Sequence, residues 1–362
     1  MSIIIHPRPS PIAAAMYMLR DLDADVIVLH GPSGCCFGPA RLLEKEGVKI
    51  VTTALSDNEL VFGGEGRLSK VLKRVDELFN PHLIGVVGTC ASMIIGENLK
   101  KAAIEAGVIE KCLCCSVHSG SGDNTVGAIE VLKEATNAGL ITQDEYERQK
   151  YMLEMAALVE RRRGTARSEY IGNCQGDDPN MVARQILRTL RDGGDVACIL
   201  NAKKETAFIY ADTLLALSDA KKGKSGNLRF IANLDPNVGL PRIRSYSKEI
   251  LRELSCKGIF IERITGGLDE YPVSGERATE YIMEVEPDLA IILGIPHAVA
   301  VEGKIRTVAV SSGTRATYNL KSLGYDYVIN ERHAHRASLG NRRICKSILG
   351  ESIRMVSRED KG

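Results

Sequence analysis

The sequence predicts an α/β protein made of several doubly wound, parallel-sheet (Rossmann-like) units. Apolar runs of five or six residues recur along the chain, and each is followed by glycine and then by a helical pattern. Strands that are apolar on both faces and alternate with helices are typical of parallel sheets covered on both sides. Aromatic residues make up only 5% of the chain, whereas 34 of the 362 residues are glycine, which favours an aliphatic sheet protein over a β-sandwich.

The strands follow from these runs in chain order. Two are predicted in the first hundred residues, at 25–29 and 83–87, and each leads into a glycine-containing loop. Further strands are predicted at 169–174, 195–200, 228–234, 258–264, 288–293, 305–311 and 325–330. Amphipathic stretches such as 181–190 supply the helices that cover the sheets.

The chain length predicts two to three domains at about 150 residues each. A long helix is expected over 144–163, and the polar, glycine-containing segment 221–227 is expected to be a linker. We therefore expect a first, cysteine-bearing α/β domain over 1–165, a second small α/β unit over 166–225, a third α/β domain over 226–345 and a C-terminal tail over 346–362.

Composition excludes several classes of protein. The 47 basic and 46 acidic side chains leave a net charge of +1, which gives no electrostatic reason to expect nucleic acid or a membrane surface as a partner. No apolar run reaches the roughly 18 residues of a membrane span, and the first ten residues lack the apolar core of a signal peptide. We expect a cytoplasmic protein whose ten cysteines are metal ligands, catalytic thiols or packing residues rather than disulfides.

Three cysteines follow predicted strands. Cys35 and Cys36 lie in a loop rich in glycine after the first strand, and Cys90 stands where a helix follows the second. Ligands of open α/β sheets bind at the carboxyl ends of strands, and a helix start favours the thiolate form that binds iron. We therefore expect metal ligation at this edge rather than a set of buried small side chains.

The remaining cysteines give a weaker signal. Cys112, Cys114 and Cys115 form a tight group that alternates across a short strand, and it fits a core strand and a metal site about equally. The scattered cysteines are expected to be packing residues: Cys174, Cys198, Cys256 and Cys345.

Several segments resemble the nitrogenase component 1 family. HGPSGC at 30–35 is similar to the first cluster-cysteine loop of that family, and LVFGGEGRLSKVLKRVDELFNP at 60–81 is similar to the segment that follows it. GTCASMIIGENL at 88–99 is similar to the second cluster-cysteine helix and its IGD-like continuation. Weaker similarity continues through PDLAIILG and INERHAHRASLG, so the resemblance covers essentially the whole chain.

The resemblance implies that Cys35 and Cys90 bind an iron–sulfur cluster. The alignment favours Cys35 over its neighbour Cys36, which remains an alternative ligand. Larger family members have another ligating cysteine before the first loop, whereas residues 1–30 contain none here. One chain then supplies two ligands, and a two-fold homodimer supplies the four that a [4Fe–4S] cluster needs at its interface.

The short, single-type chain is similar to the branch of the family that forms nitrogenase-like subunits of a reductive cyclase acting on nickel-sirohydrochlorin a,c-diamide. This branch implies an oxidoreductase and cyclo-ligase reaction of nickel-tetrapyrrole biosynthesis in methanogenic archaea, with seco-factor 430 as product. It also implies an iron-protein partner that hydrolyses ATP with Mg²⁺, and the lack of a GxxxxGK[ST] motif here agrees with that division. Reduction of another tetrapyrrole and a non-catalytic role as a cofactor-assembly scaffold remain alternatives.

Such a reaction needs proton donors and groups that bind carboxylates. His333 and His335, after the last predicted strand, and His297 are candidate proton donors because the imidazole pKa suits proton transfer near neutral pH. A structural role fits each histidine about as well. Arg242 and Arg244 are candidates to bind substrate carboxylates through bidentate pairs, with surface salt bridges as the alternative.

Three residues near the cysteines are given supporting roles. Glu65 and Glu97 are expected at a rim where the iron protein docks. His30, directly before the first cysteine loop, is expected to orient that loop.

Overall fold

The computed structural model of the protein describes residues 10–167, 170–301 and 303–359. Within these ranges the chain forms two compact units. The N-terminal unit contains residues 10–154 and 240–242, and the C-terminal unit contains residues 155–239 and 243–359 of the described ranges. No helix within these ranges is long and apolar enough to cross a lipid bilayer.

A four-stranded parallel sheet forms the centre of the N-terminal unit. Its strands are β1 (Val26–His30), β2 (Lys49–Thr52), β3 (Ile84–Gly88) and β4 (Cys112–Cys115), in the order β2-β1-β3-β4. The central strands β1 and β3 are buried at every position, which is why both appear in the sequence as apolar runs. The edge strand β2 is partly exposed throughout, and its polar–apolar mixture gave no such signal.

Helices cover both faces of this sheet. On one face, Leu68 and Leu72 pack against Val26 and Ile84 in a single apolar cluster. On the other face, Leu19 lies directly against Gly85. The helices of this part of the chain are α1 (Pro11–Asp21), α2 (Phe37–Lys45), α3 (Asp57–Phe62), α4 (Glu65–Phe79), α5 (Cys90–Ile94), α6 (Leu99–Glu105), α7 (Asn124–Asn137) and α8 (Gln143–Arg162), whose last turns belong to the C-terminal unit.

A six-stranded parallel sheet forms the centre of the C-terminal unit. Its order is β10-β9-β8-β5-β6-β7, with β5 (Asp195–Asn201), β6 (Asn227–Ala232), β7 (Arg263–Ile264), β8 (Leu289–Gly294), β9 (Arg306–Ser311) and β10 (Tyr327–Asn330). The flanking helices are α9 (Pro179–Arg191), α10 (Ala207–Lys221), α11 (Pro241–Cys256), α12 (Tyr271–Val285), α13 (Thr314–Ser322), α14 (Ala334–Ser338) and α15 (Ile348–Glu359). Together the two parallel sheets confirm the predicted α/β class.

The strand order of the C-terminal unit has a functional meaning. The chain starts in the middle with β5, builds outward through β6 and β7, and then returns to build outward on the other side through β8, β9 and β10. This is the order of the dinucleotide-binding fold, and its direction reverses between β5 and β8. Ligands of such sheets bind outside the carboxyl ends of the strands at the point of reversal.

The structure divides the chain differently from the predicted boundaries. β5, from the predicted unit 166–225, pairs with both β6 and β8 of the predicted unit 226–345. The polar segment 221–227 is therefore the connection from α10 to β6 within one sheet and not a linker between domains. Its polar composition reflects its place at the surface, where such connections lie. Residues 348–359 of the predicted tail form α15, where Leu349 and Ile353 are fully buried; residues 360–362 lie outside the described ranges.

Two predicted strands also differ. Over 170–174 there is no strand, and the nearest sheet contact is the isolated bridge between Gly176 and Ile329; residue 169 lies outside the described ranges. The run at 258–264 forms strand only at Arg263–Ile264. Both segments lie beside the sheet edges, where few partners are available to extend the hydrogen-bond ladder.

A buried carboxyl group lies at the end of β10. Glu331 is 2% exposed, and its two carboxylate oxygens lie 3.2 and 2.9 Å from the backbone nitrogen of Ile348, which donates to them at the start of α15. Burial raises the pKa of Glu331 to about 7, and the nearby carboxylate of Asp212 adds to the shift. The folded protein therefore holds a proton that the unfolded chain releases near pH 4.5.

This shift predicts a pH-dependent effect of Glu331→Gln. Stability contributed by the protonated carboxyl is present below about pH 4.5 and is lost as the pH rises to about 7, because only the unfolded chain has released the proton in that window. The neutral amide still accepts a hydrogen bond and carries no such cost, so we expect the variant to be about 1–3 kcal/mol more stable than the parent at pH 8 and equal to it near pH 4.5. Urea unfolding at both pH values measures the difference, and the exposed Glu284→Gln serves as control. Equal effects at the two pH values would contradict the assignment.

Candidate functional site

The cysteine-bearing loops leave the same edge of the N-terminal sheet. β1 and β3 are adjacent and pair in register up to His30 and Gly88, so their carboxyl ends are level. The loop after β1 carries Cys35 and Cys36 into α2, and Cys90 is the first residue of α5 after β3. The thiols of Cys35 and Cys90 both act electrostatically on Cys36. The structure thus brings together the three cysteines that the sequence placed at strand ends.

A close backbone contact joins the two loops. A Cβ atom at Gly31 would lie 2.0 Å from Oγ1 of Thr89, so only glycine fits at this position. The hydroxyls of Thr89 and Ser92 donate to the backbone carbonyl of His30 at 2.9 and 2.7 Å. The turn that carries Cys35 and the helix start that carries Cys90 are therefore held directly against each other.

His30 is fixed at both ring nitrogens. Nδ1 lies 3.1 Å from Oγ1 of Thr53, and Nε2 lies 3.1 Å from Oε2 of Glu97. The other carboxylate oxygen of Glu97 accepts a hydrogen bond of 2.7 Å from the backbone of Gly64. Burial lowers the pKa of His30 although the bond to Glu97 opposes the shift. These contacts suit a residue that orients the loop after β1.

The two acidic residues assigned to a docking rim have local partners. The Glu97 side chain is only 4% exposed and points inward to His30, so its predicted place at a docking rim is wrong. Glu65 accepts from the ammonium group of Lys101 at 2.6 Å and from the backbone of Asn98 at 3.0 Å. Both carboxylates hold the loops around the cysteines in place.

The thiols at this edge differ in acidity. The backbone N–H of Ser119, in the loop after β4, donates to Sγ of Cys90 at 3.3 Å, and the side chain of Ser119 together with this bond lowers the pKa of Cys90. Burial, together with the charges of Cys35 and Cys90, raises the pKa of Cys36 to about 11. Cys90 is therefore the more acidic of these two thiols, and the thiolate is the form that binds iron.

The cysteine group on β4 belongs to the core. Cys114 and Cys115 are buried and Cys112 is half-buried, and burial raises the pKa values of Cys112 and Cys114 to about 12. No three His, Cys, Asp or Glu side chains among the described residues are placed to hold a metal ion by themselves. Of the two interpretations of this group, the structure therefore supports the core strand.

Exposed apolar side chains follow the strand ends at the edge of the sheet that carries the cysteines. Phe37, at the start of α2, is 65% exposed, Phe62 at the end of α3 is 85% exposed, and Ile94 at the end of α5 is 82% exposed. All three follow the carboxyl ends of β1, β2 and β3. The sequence analysis did not single them out, although large apolar side chains next to loop cysteines were a readable signal. We call Phe37, Phe62 and Ile94 the apolar rim.

The candidate histidines of the C-terminal unit lie after two different strands. His297 follows β8 at the point of strand reversal, is 5% exposed, and places Nε2 3.0 Å from Oε1 of Glu160. His335, after β10, pairs with the buried carboxylate of Glu205 at 2.9 Å. His333 is exposed and has a left-handed backbone with φ 61°. β9 separates the strand before His297 from the strand before the other two.

The carboxylate-binding candidates are corrected by the structure. Arg242 belongs to the N-terminal unit, where Nε donates to Asp23 at 2.8 Å and the guanidinium lies 4.0 Å from Glu46, so it is already neutralised. Arg244 is half-buried and has no ion pair with another described residue. The sequence analysis missed Arg315, at the start of α13 after β9, where Nε and Nη2 are buried without a hydrogen-bond acceptor. A guanidinium left in that state is suited to an anionic ligand.

The chain matches a family model over its first part and known proteins over nearly its whole length. Residues 10–153 match the family model described as nitrogenase component 1 type oxidoreductase. Over 353 residues the chain is 48% identical to the Ni-sirohydrochlorin a,c-diamide reductive cyclase complex component CfbD of Methanothermobacter thermautotrophicus, covering 97% of this chain and 98% of that protein. It is 44% identical over 362 residues to the component CfbD of Methanosarcina acetivorans, covering 98% of each. These matches confirm the resemblance drawn from the cysteine motifs.

Solved structures give a weaker match. A nitrogenase Cp1 structure at pH 5 aligns with a TM-score of 0.38 and 14% identity, covering 99% of this chain and 88% of that one. The description of the fold therefore rests on the strand pairing of the chain itself.

Proposed function

Since the chain belongs to the family of the CfbD components of Ni-sirohydrochlorin a,c-diamide reductive cyclase complexes, we propose that it is the subunit of such a complex that binds and reduces Ni-sirohydrochlorin a,c-diamide. The observation that carries the proposal is the pair of loops bearing Cys35 and Cys90 at one sheet edge, in a chain related to these proteins over nearly its full length. The proposed reaction reduces ring double bonds and closes an acetamide side chain to a γ-lactam, giving seco-factor 430.

The cysteine edge fits an iron–sulfur cluster. Cys35 and Cys90 would hold it from each of two copies, so that a two-fold axis supplies four thiolates. The hydrogen bond from Ser119 to Cys90 favours the thiolate that ligation needs, and the contact of Gly31 with Thr89 fixes the separation of the two loops. A [4Fe–4S] cluster bound there would supply one-electron relay.

The apolar rim supports burial of this edge in an assembly. Phe37, Phe62 and Ile94 are large apolar side chains exposed at the edge of the sheet that carries the cysteines, and exposed apolar patches mark protein–protein interfaces. We assign this face to the homodimer contact and to the approach of an iron-protein partner. ATP and Mg²⁺ are assigned to that partner, which delivers the electrons at this edge.

The carboxyl edge of the C-terminal sheet is the proposed substrate site. His297 lies at the point of strand reversal, and its bond to Glu160 fixes the orientation of the imidazole. Burial raises the pKa of Glu160, but the hydrogen bond and charge of His297 outweigh burial and leave this pKa below its usual value, so Glu160 is an ionised partner for the imidazole. His333 and His335 are further candidate donors, and Arg315 replaces Arg242 as the candidate to bind a substrate carboxylate.

The test is an anaerobic assay with the cluster-loaded protein, the iron protein, ATP, a reductant and Ni-sirohydrochlorin a,c-diamide, followed by the absorbance of the tetrapyrrole. ATP-dependent spectral change is expected, and its absence with a loaded cluster would overturn the proposal. Conversion of a different tetrapyrrole, or release of the cluster to an acceptor without turnover, would identify the alternative reductase or scaffold role. In the same assay, His297, His333 and His335 are each replaced with glutamine. A proton donor is the histidine whose replacement lowers turnover but leaves the cluster absorbance unchanged.

A further inference from the structure

A cavity of about 250 Å³ lies in the C-terminal unit at the amino-terminal edge of β9 and β10. Arg306 opens β9, and Tyr325 and Asp326 precede β10. Lys304, in the connection from β8 to β9, and Arg163, directly after α8, complete the charged part of the lining. The histidines and Arg315 follow the carboxyl ends of strands in the same sheet, so this cavity is at the opposite edge from the proposed substrate site.

The cationic groups of this cavity have no ion-pair partner among the residues that the structure describes. Arg163, Lys304 and Arg306 each line the cavity, and none of them forms an ion pair with another described residue. Nη2 of Arg306 donates to the hydroxyl of Thr189 at 3.1 Å, which orients the guanidinium without cancelling its charge. Positive charge therefore accumulates around one concave space.

The acidic residue of the lining has another role. Oδ2 of Asp326 accepts hydrogen bonds from the backbone and the hydroxyl of Thr307 at 2.8 and 2.9 Å. This carboxylate joins the start of β9 to the start of β10 and leaves the described lining with a positive excess. Anions are attracted to a concave surface of this kind because the low-dielectric walls concentrate the field.

The apolar part of the lining is packed against the core of the unit. Val301, Ile305 and Leu323 pack against the apolar core of the unit. The hydroxyl of Tyr325 lies 2.6 and 2.8 Å from the carbonyl oxygens of Pro296 and Val299, to which it donates, and so ties the β8–β9 connection to the segment that leads into β10. Apolar packing and these hydrogen bonds shape the space. It is smaller than the roughly 300–1,000 Å³ of sites for drug-sized molecules, so its ligand is small.

We infer that this cavity is a binding site for a small, multiply charged oxyanion, held by Arg163, Lys304 and Arg306 through its phosphate or carboxylate oxygens. Guanidinium groups pair with both kinds of oxyanion in a bidentate manner. The site is independent of the proposed tetrapyrrole chemistry, since none of these residues is assigned to the cysteine edge or to the substrate site.

Isothermal titration of the full-length protein at low ionic strength tests the inference, with pyrophosphate in one arm and tricarballylate in the other. We expect saturable binding of one ion per chain, weakened at least tenfold in the double variant Arg163→Gln/Lys304→Gln. The control Lys248→Gln/Lys257→Gln removes the same charge from exposed positions at α11 and should bind as the parent does. Because both double variants have the same net charge, a loss of binding in only the first of them distinguishes a local site from general attraction of anions.

The two arms identify the ligand chemistry. A response to pyrophosphate alone assigns the site to phosphates, and a response to tricarballylate alone assigns it to carboxylates. Lack of saturable binding of either ion up to about 10 mM, a concentration that corresponds to only about 3 kcal/mol of binding free energy, would overturn the inference. An equal loss of binding in the control double variant would overturn it as well.

Discussion

Cys90→Ser is expected to abolish the iron–sulfur absorbance of the purified protein and, with it, the reductive activity. Cys90 opens α5 at the level of the carboxyl end of β1, and its thiolate is stabilised by the N–H of Ser119 at 3.3 Å. A serine hydroxyl has a pKa too high to replace a thiolate as an iron ligand. Loss of one ligand from each of two copies removes half of the proposed coordination. The visible spectrum and iron content after anaerobic purification measure the effect, and Cys35→Ser is expected to give the same result.

Two other cysteines provide matched comparisons. Cys256, at the end of α11, is exposed, and Cys256→Ser should retain the full absorbance. Cys36→Ser should also retain it, because the family resemblance places the ligand at Cys35 and burial raises the pKa of the Cys36 thiol to about 11. If Cys36→Ser loses the absorbance and Cys35→Ser keeps it, the ligand assignment at this loop is wrong.

Gly31→Ala is expected to destabilise the N-terminal unit by about 2–3 kcal/mol, the upper part of the range for added volume at a packed site. The new Cβ would lie 2.0 Å from Oγ1 and 2.8 Å from Cγ2 of Thr89, so either the turn after β1 or the start of α5 must move. Such a movement separates the loops of Cys35 and Cys90, and cluster retention should fall together with stability. Urea unfolding monitored by circular dichroism gives the first quantity, and iron content gives the second.

Gly38→Ala is the control for that substitution. Gly38 lies in the first turn of α2, has an ordinary negative φ, and has no atom within 4 Å of an added Cβ. Alanine is favoured over glycine in a helix by about 0.5–1 kcal/mol, so this variant should be as stable as the parent or slightly more stable. Similar destabilisation by both substitutions would show that the contact with Thr89 is not what constrains Gly31.

Apolar periodicity was enough to find the strands that position the site. β1, β3, β5, β8 and β9 are buried along almost their whole length, so their sequences are apolar runs and their ends could be located to within one residue. With that precision the sequence alone predicts Cys35 and Cys90 at one edge of the sheet. The edge strand β2 is partly exposed and was missed for the same physical reason.

Partners that are distant in the sequence could not be predicted. Arg242 pairs with Asp23, 219 positions away, and His297 pairs with Glu160, 137 positions away. A motif identifies a side chain able to bind a carboxylate, but it does not show which carboxylate the fold brings near. For this reason the sequence left a substrate carboxylate and a salt bridge as alternatives for Arg242 and gave no signal for Arg315, whose buried nitrogens become evident only from the packing around α13.

The hydrogen bonds to the carbonyl of His30 bear on the order of folding and insertion of the proposed cluster. It accepts from the amide and hydroxyl of Thr89 and from the hydroxyl of Ser92, all contributed by the neighbouring strand end. Loops that bind metals usually belong to the least stable parts of a protein, whereas this pair is anchored in the buried centre of its sheet. Protein contacts thus hold the turn of Cys35 against the helix start of Cys90. For the proposed cluster, this predicts that insertion follows folding and that removal of the iron by a chelator leaves the N-terminal unit folded.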